Sequence, residues 1–298
     1  MSKPNLPDDL LRLIKKLDQK RQAREEQLAR QLVRIYGAAR KDLYIRLLEL
    51  QGSTGKLTLQ HIESTIQGIE YQLRYYTNLT AQARQKAADE AFLLGQDLGA
   101  QMLRSGGVNI SVVAGVGLVN RGMVEALIGD IPKLAGKVEM DVLFRIRDEL
   151  TRGAVLGESI PKLAKRIFGT GLTTEGLKKP MSLQRRCTVI ARTEIIKASD
   201  SGYEDLAVKA QGVIGEEIFD AWITAGDERV AEPDRQLGNG THPDYQSIPG
   251  YPGVYRREGG PRPVISTHPQ CRCRRIPVLL SWLKSGALDI AELRGRAS

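Results

Sequence analysis

Across residues 28–50 the apolar side chains Leu28, Leu32, Ile35, Ala39, Leu43, Leu47 and Leu50 recur at steps of three and four. That spacing puts them on one face and predicts a single long helix from about Asp8 to Leu50. The remaining surface carries Arg30, Arg34, Arg40, Lys41 and Arg46, and the first fifty residues hold twelve Lys and Arg against seven Asp and Glu. Gln51-Gly52-Ser53-Thr54-Gly55 supplies a cap and a turn. Thr58 is placed to cap a second helix. Its face is Ile62, Ile66, Ile69, Leu73 and Tyr76, continuing through Leu94, Leu98 and Met102 to a break at Ser105-Gly106-Gly107. Two such helices joined by a short loop form an antiparallel hairpin. The stripe from Leu28 to Leu50 suits a docking arm with an apolar face and a basic back. An ordinary bundle with a solvated basic face has the same pattern.

The rest of the chain is shorter in its periods. Val112 to Gly117 is an apolar, glycine-containing link. Gly115-Val116-Gly117 is no phosphate loop, because the next glycine is Gly122 and no Gly-Lys-Ser/Thr follows. Leu143, Ile146 and Leu150 form one helical stripe; Gly157-Glu158-Ser159 stops it, and Ser159 caps a short helix with Pro161 in its first turn and Leu163 and Ile167 on its buried side. Gly169 to Pro180 reads as a hinge. Ser182 can cap a helix whose face is Leu183, Cys187 and Ile190, widened by Ala191, Ile195 and Ala198, so Cys187 is expected to be a small core residue. Glu216 to Ala225 alternates Phe219, Ala221 and Ile223 against Asp220, Trp222 and Thr224, the signature of a half-buried strand. Asp227 to Pro263 reads as a long Gly-, Pro- and Arg-rich loop. Ile276 to Leu283 gives a last strand or short helix, and the end of the chain is polar.

With 298 residues there is room for about two domains, and an aromatic content of 5% fits long helices built on Leu, Ile and Ala. The net charge of +9 favours acidic partners: nucleic acid, acidic protein surfaces or anionic membrane. No run of ~18 apolar residues marks a membrane span, and Met1-Ser2-Lys3-Pro4 lacks a signal sequence. Three cysteines, two of them one residue apart, make no disulfide framework and point to synthesis in a reducing cytoplasm.

Three stretches concentrate chemistry: Ile190-Ala191-Arg192-Thr193-Glu194, Trp222 to Val230, and His268-Pro269-Gln270-Cys271-Arg272-Cys273-Arg274-Arg275. Arg192 and Glu194 are two apart on a helix and reach different neighbours, which makes them polar anchors. His268, Cys271 and Cys273 offer imidazole and thiolate donors for zinc, with His242, Asp234 or Asp227 available as a fourth ligand. Cys271 and Cys273 converge on one ion only if the chain turns between them. From Arg256 to Arg275 there are six arginines (Arg256, Arg257, Arg262, Arg272, Arg274, Arg275) and one acid, Glu258. Such a cluster suits a phosphate backbone without reading sequence, Tyr251 and Tyr255 being the nearby stacking rings, or equally an acidic protein surface.

In order and spacing these three stretches resemble the C-terminal module of tailed-phage head-morphogenesis proteins, the minor capsid family named after the F protein of phage Mu. There an Ala-Arg-Thr-Glu helix precedes a Trp-x-Thr-x-x-Asp-x-Arg-Val strand and loop, and the module closes on His-Pro-x-Cys-Arg-Cys. The resemblance covers the last third of the chain and extends back to about residue 140. It carries Arg192, Glu194, Trp222, Asp227 and Arg229 as structural motif residues. The chain departs from the family after Val230: the usual His or Cys pair is missing from Ala231 to Gly240, and Asp234 stands about where the His would be. The resemblance implies a non-enzymatic virion component made in the host bacterial cytoplasm. Its role would be head assembly, with the portal protein and other head proteins as partners, contact with packaged DNA, and no membrane. The rival reading is a metal-dependent nuclease using Asp227, His242, His268 and the cysteines; a helical adaptor is a third.

The expected fold is α+β and mainly α. A long-helix hairpin arm spans residues 1–110, a helical linker domain 111–181, the small α+β module 182–285, and a polar tail 286–298.

Overall fold

The computed structural model describes residues 6–49, 59–129 and 183–297, together with positions 148, 149, 152, 156 and 162. The turn at 51–55, the Thr58 and Ser182 caps, the Leu143, Ile146 and Leu150 stripe, the Ser159 helix and the 169–180 hinge fall outside the described residues. So do Leu50 and the side chains of Leu47, Ile62 and Leu183.

The fold is α+β and mainly helical. Its elements are α1 (Leu6–Glu49), α2 (Leu59–Ser105), α3 (Arg121–Gly129), α4 (Leu183–Ile214), β1 (Ile218–Ile223), α5 (Glu232–Asn239), β2 (Val254–Arg256), β3 (Arg274–Leu279), α6 (Leu280–Lys284) and α7 (Ile290–Ala297). Asp8 and Asp9 in the first turn of α1 face the positive end of its dipole. α2 stops where the glycines predict. Gly107 takes φ +87°, while Val108 N donates to Leu103 O and Gly107 N to Arg104 O, which is the Schellman pattern of closing a helix.

The chain divides into two compact units, one of residues 1–25, 87–127 and 192–298, the other of 26–86 and 128–191. In the second unit the predicted stripes are core: Leu28, Leu32, Ala39 and Leu43 of α1 and Ile66, Ile69 and Tyr76 of α2 are buried. The Leu28–Leu43 stripe is therefore covered by the chain itself, and the expectation that it lies open for docking is corrected.

The division also corrects the expected boundaries. Leu6, Leu10, Leu11 and Ile14 of α1 and Met102 and Leu103 of α2 share one core with Ile218, Phe219 and Ile223 of β1 and Ile276 and Val278 of β3. Both ends of the helical pair thus belong with the strands, not to a separate arm 1–110. A helix period reports which face is buried but not what covers it. α2 and α4 approach most closely within this unit. A Cβ on Gly95 would lie 1.8 Å from Ser199 O, and one on Gly202 would lie 1.9 Å from Phe92 O, so only glycine fits at either place.

The sheet is antiparallel in the order β2-β1-β3, with Phe219 opposite Arg256 and Trp222 opposite Arg275. Pro277 is tolerated in β3 because β3 is an edge. All six residues of β1 are buried, against the half-exposed strand expected. Phe219, Ala221 and Ile223 face the main core, while Trp222 enters a second cluster with Ile196, Leu237, Tyr255, Val264, Cys271 and Cys273. The 227–263 stretch supplies that second cover, and it contains α5 and β2 where only a loop was expected. Nor is 286–298 a polar tail: Asp289 Oδ1 accepts from Ala291 N and Glu292 N, starting α7, whose Ile290 and Leu293 join the main core.

Candidate metal centre and the landmark residues

His268-Pro269-Gln270-Cys271 is a tight turn. Cys271 N donates to His268 O at 3.1 Å, Pro269 holds the second position, and Gln270 takes φ +70° at the third. This is the type II pattern, in which proline presets the first corner. The turn brings the His268 and Cys271 side chains to one side. α5 supplies the third group. Pro233 sits in its first turn, and Asp234, also in that turn, is 1% exposed.

His268 Nε2 lies 3.0 Å from Asp234 Oδ2, and Cys271 Sγ lies 3.7 and 3.6 Å from Asp234 Oδ1 and Oδ2. One donor atom from each of the three falls within 4.8 Å of the others. Four ligand atoms around a tetrahedral ion at ~2.0–2.3 Å stand roughly 3.3–3.8 Å apart, so the spacing fits a shared cation. His268 Nδ1 is 2.8 Å from Pro269 O. Donating there fixes the tautomer that leaves Nε2 as the ligating nitrogen. Burial works against charging His268, but the Pro269 carbonyl and the Asp234 carboxylate outweigh it and raise its pKa. The Cys273 thiol hydrogen-bonds to the Cys271 sulfur and, against burial, brings the Cys271 pKa down to about 7. The same bond and burial push Cys273 up. Cys273 N also donates to Cys271 Sγ at 3.4 Å. Cys271 is thus prepared as the thiolate and Cys273 as its thiol neighbour.

Of the ligands considered from the sequence, His268 and Cys271 come together with Asp234, one of the three candidates for a fourth position, while Cys273 leads into β3 and packs with Trp222. The other nuclease candidates are elsewhere. His242 stacks near Tyr245 and accepts from Asp244 N, and Asp227 is held by Arg272 and lies 3.7 Å from Arg229. The signal for Asp234 was its position where the resembling family carries a His.

Each of the six arginines has a carboxylate of the same chain as a partner, so the cluster carries less free positive charge than its sequence suggests. Arg256 pairs with Glu217 at 3.0 Å, Arg257 with Glu204 at 3.5 Å, Arg262 with Asp200 at 2.9 Å, and Arg274 with Asp18 at 2.7 Å. Arg272 takes Asp227. Arg275 is buried and reaches Asp220 at 2.6 Å, Asp200 at 2.8 Å and Glu204 at 3.0 Å. Its guanidinium also lies 5.3 Å over the Tyr203 ring, while Tyr203 OH donates to Asp220 Oδ1 at 2.5 Å. Burial pushes the Asp200 carboxyl up, but Arg275 and Arg262 together hold it below the usual range. Burial dominates at Asp220 and raises it despite Arg275 and Tyr203. The arginines stood together in the sequence and their partners did not: Asp18, Asp200, Glu204, Glu217 and Asp220 come from α1, α4 and the neighbourhood of β1.

The remaining landmarks are also tied inward. Arg192 pairs with Glu25 of α1 at 2.9 Å, Glu194 is buried, and Trp222 is fully enclosed. Cys187 is a buried core residue, as its helix position implies. Among the described residues no helix is long and apolar enough to cross a membrane. Comparison of the chain with family models, with curated proteins and with solved structures gives no match.

Proposed function

We propose that this chain is a minor head protein of a tailed phage. It acts without catalysis in head assembly, made in the host bacterial cytoplasm and carried in the virion beside the portal protein and other head proteins. One observation supports the reading most. The residues that carry the resemblance, dispersed from Arg192 to Cys273, are used to close a single module. Arg192 ties α4 to Glu25, Arg272 holds Asp227, Trp222 fills the second cluster, and His268 and Cys271 meet Asp234. Such a pattern preserves a shape, which is what an assembly component needs. In an infected culture a tagged chain should sediment with procapsids at low copy. Particles that assemble and infect normally without the chain would overturn the reading.

Within that module Asp234, His268 and Cys271 hold zinc as a clasp between α5 and the turn before β3. The mixed oxygen, nitrogen and sulfur donor set suits zinc better than a hard cation. Purified protein should carry about one equivalent, lost in Asp234→Ala and Cys271→Ser, with a chelator lowering its melting temperature. Metal-free protein with an unchanged melting temperature in chelator would exclude the clasp. One feature favours a second reading, a metal-dependent nuclease: three protein ligands leave a fourth position, and the His268 side chain is 42% exposed. DNA cleavage by the zinc-loaded chain, abolished by Asp234→Ala, would replace the assembly reading with that one.

A further inference from the structure

Next to the turn that carries Cys271, Arg21 of α1, Arg192 of α4, and Arg229, Arg272 and Arg274 line a cavity of about 400 Å³ that includes none of the triad side chains, with the carboxylates Asp18 and Glu25 on the same walls. Asp18 is taken by Arg274 at 2.7 Å and Glu25 by Arg192 at 2.9 Å. Adding Asp227, which faces Arg272 and Arg229, still leaves two more cations than anions around the cavity.

Arg21 accounts for much of that surplus. It is 6% exposed, and its Nε donates to Ser199 Oγ at 2.6 Å. Among the described residues no carboxylate reaches it at ion-pair distance, and burial depresses its pKa although Asp18, Asp200 and Glu25 lie near enough to oppose the shift. Arg274 Nε is likewise buried with no hydrogen-bond partner. A buried guanidinium without a carboxylate is costly unless a ligand completes it, and several guanidinia converging from different elements match the oxygens of a tetrahedral anion. A surplus of two charges matches the roughly −1.5 to −2 of a phosphate group at neutral pH.

We propose that this cavity binds the phosphate of a small ligand, either inorganic phosphate or the terminal phosphate of a nucleotide. The site is separate from the metal triad, and the proposal stands independently of the head-assembly reading.

The test is thermal unfolding of the full chain in potassium phosphate against potassium chloride at equal ionic strength, repeated with adenosine monophosphate and with adenosine. At about ten times Kd the phosphate should raise Tm by ~3–6 °C over chloride, and adenosine should do nothing. A monophosphate effective at lower concentration than phosphate assigns the nucleotide as the source; equal potency assigns the free anion. Arg21→Met, which replaces the buried cation with an apolar chain of similar length, should abolish the phosphate response. Arg229 has a side chain 84% exposed, so Arg229→Ala should fold as the parent does and weaken phosphate about two- to five-fold. Three results would overturn the proposal: no rise over chloride, an undiminished response in Arg21→Met with Arg229→Ala also unchanged, or stabilisation by a DNA oligonucleotide alone.

Discussion

Residues 26–86 and the unit that carries the strands are built on opposite economies of burial. The former buries Leu28, Leu32, Leu43, Ile66 and Ile69 at helical intervals and leaves most of its charge outside. The latter buries Arg275, Asp200 and Asp220, none more than 4% exposed, between its helix α4 and its sheet. In the first, stability follows apolar volume. In the second, much of it depends on whether each buried charge keeps its partner, since a lone charge in the interior costs several kcal/mol. Mutations, truncations and pH should therefore act on the two regions in different ways.

The largest expected effect is that of removing residues 1–25. If the strand-bearing unit were complete without α1, the truncated chain would keep a cooperative transition. Leu6, Leu10, Leu11 and Ile14 lie instead in the core of β1 and β3. At about 1.5–3 kcal/mol for each buried side chain, their loss is comparable to a whole domain's stability of ~5–15 kcal/mol. Near-ultraviolet circular dichroism should show loss of fixed tertiary structure in this unit. A truncated protein that melts cooperatively with the parent's signal would break the comparison at its root.

Point substitutions come next. Arg275→Ala removes a partner from three carboxylates and leaves Asp220 without an arginine, and should cost about 3–5 kcal/mol in urea unfolding. Leu32→Ala in the helical pair leaves a cavity and should cost about 2–4 kcal/mol. The kinds of rescue differ as well. A second substitution, Asp220→Asn, should recover part of the Arg275→Ala loss by removing one stranded charge, whereas no charge change should rescue Leu32→Ala. Equal insensitivity of both to a second charge change would show that the buried network is packing in disguise.

The pH limits should separate the regions too. Burial, with the Asp42 carboxylate that accepts the Tyr76 hydroxyl, pushes Tyr76 up to about 12. Its folded value is raised, so its contribution is complete below pH 10 and is lost as pH climbs from 10 to about 12. Asp200 has a lowered folded value, so its contribution is complete above pH 3.8 and is lost as pH falls below that. Denaturant melts across pH should show the alkaline limb flattened by Tyr76→Phe and the acid limb flattened by Asp200→Asn. Interchanged effects would contradict the assignment.

The same contrast explains what was legible in the sequence. Leu28, Leu32, Ile66 and Ile69 announced their burial because a helix repeats its environment every few residues, and Gly106-Gly107 announced the end of α2. The architecture of long helices with a small α+β module followed from that. β1 misled, because alternation signals one covered face, while Asp220 and Trp222 are covered by partners from distant positions. α5 was hidden because Leu237 is its only buried large apolar residue. The arginines from Arg256 to Arg275 looked like one patch because neighbours along the chain are visible and partners across the fold are not. His268 and Cys271 could be picked out by donor chemistry and spacing. Choosing Asp234 over Cys273 required knowing where α5 would place its first turn.

The smallest effect concerns that turn. Gln270 holds φ +70° at the corner that type II turns reserve for glycine. An L residue there costs about 1–2 kcal/mol, while glycine's extra freedom in the unfolded chain returns roughly 0.5–1 kcal/mol of that. Gln270→Gly should therefore stabilise by up to ~1 kcal/mol and leave metal content unchanged, because neither His268 nor Cys271 moves. Val264 has the same backbone strain at φ +66°, yet it is 8% exposed and packed in the Trp222 cluster. Val264→Gly gives up that packing, about 1.5–3 kcal/mol for a buried valine, and should destabilise despite relieving the backbone. Paired urea titrations of the two variants measure opposite signs if packing decides the second cluster. The same sign for both would mean that backbone strain, and not side-chain burial, governs the loop that carries His268 and Cys271.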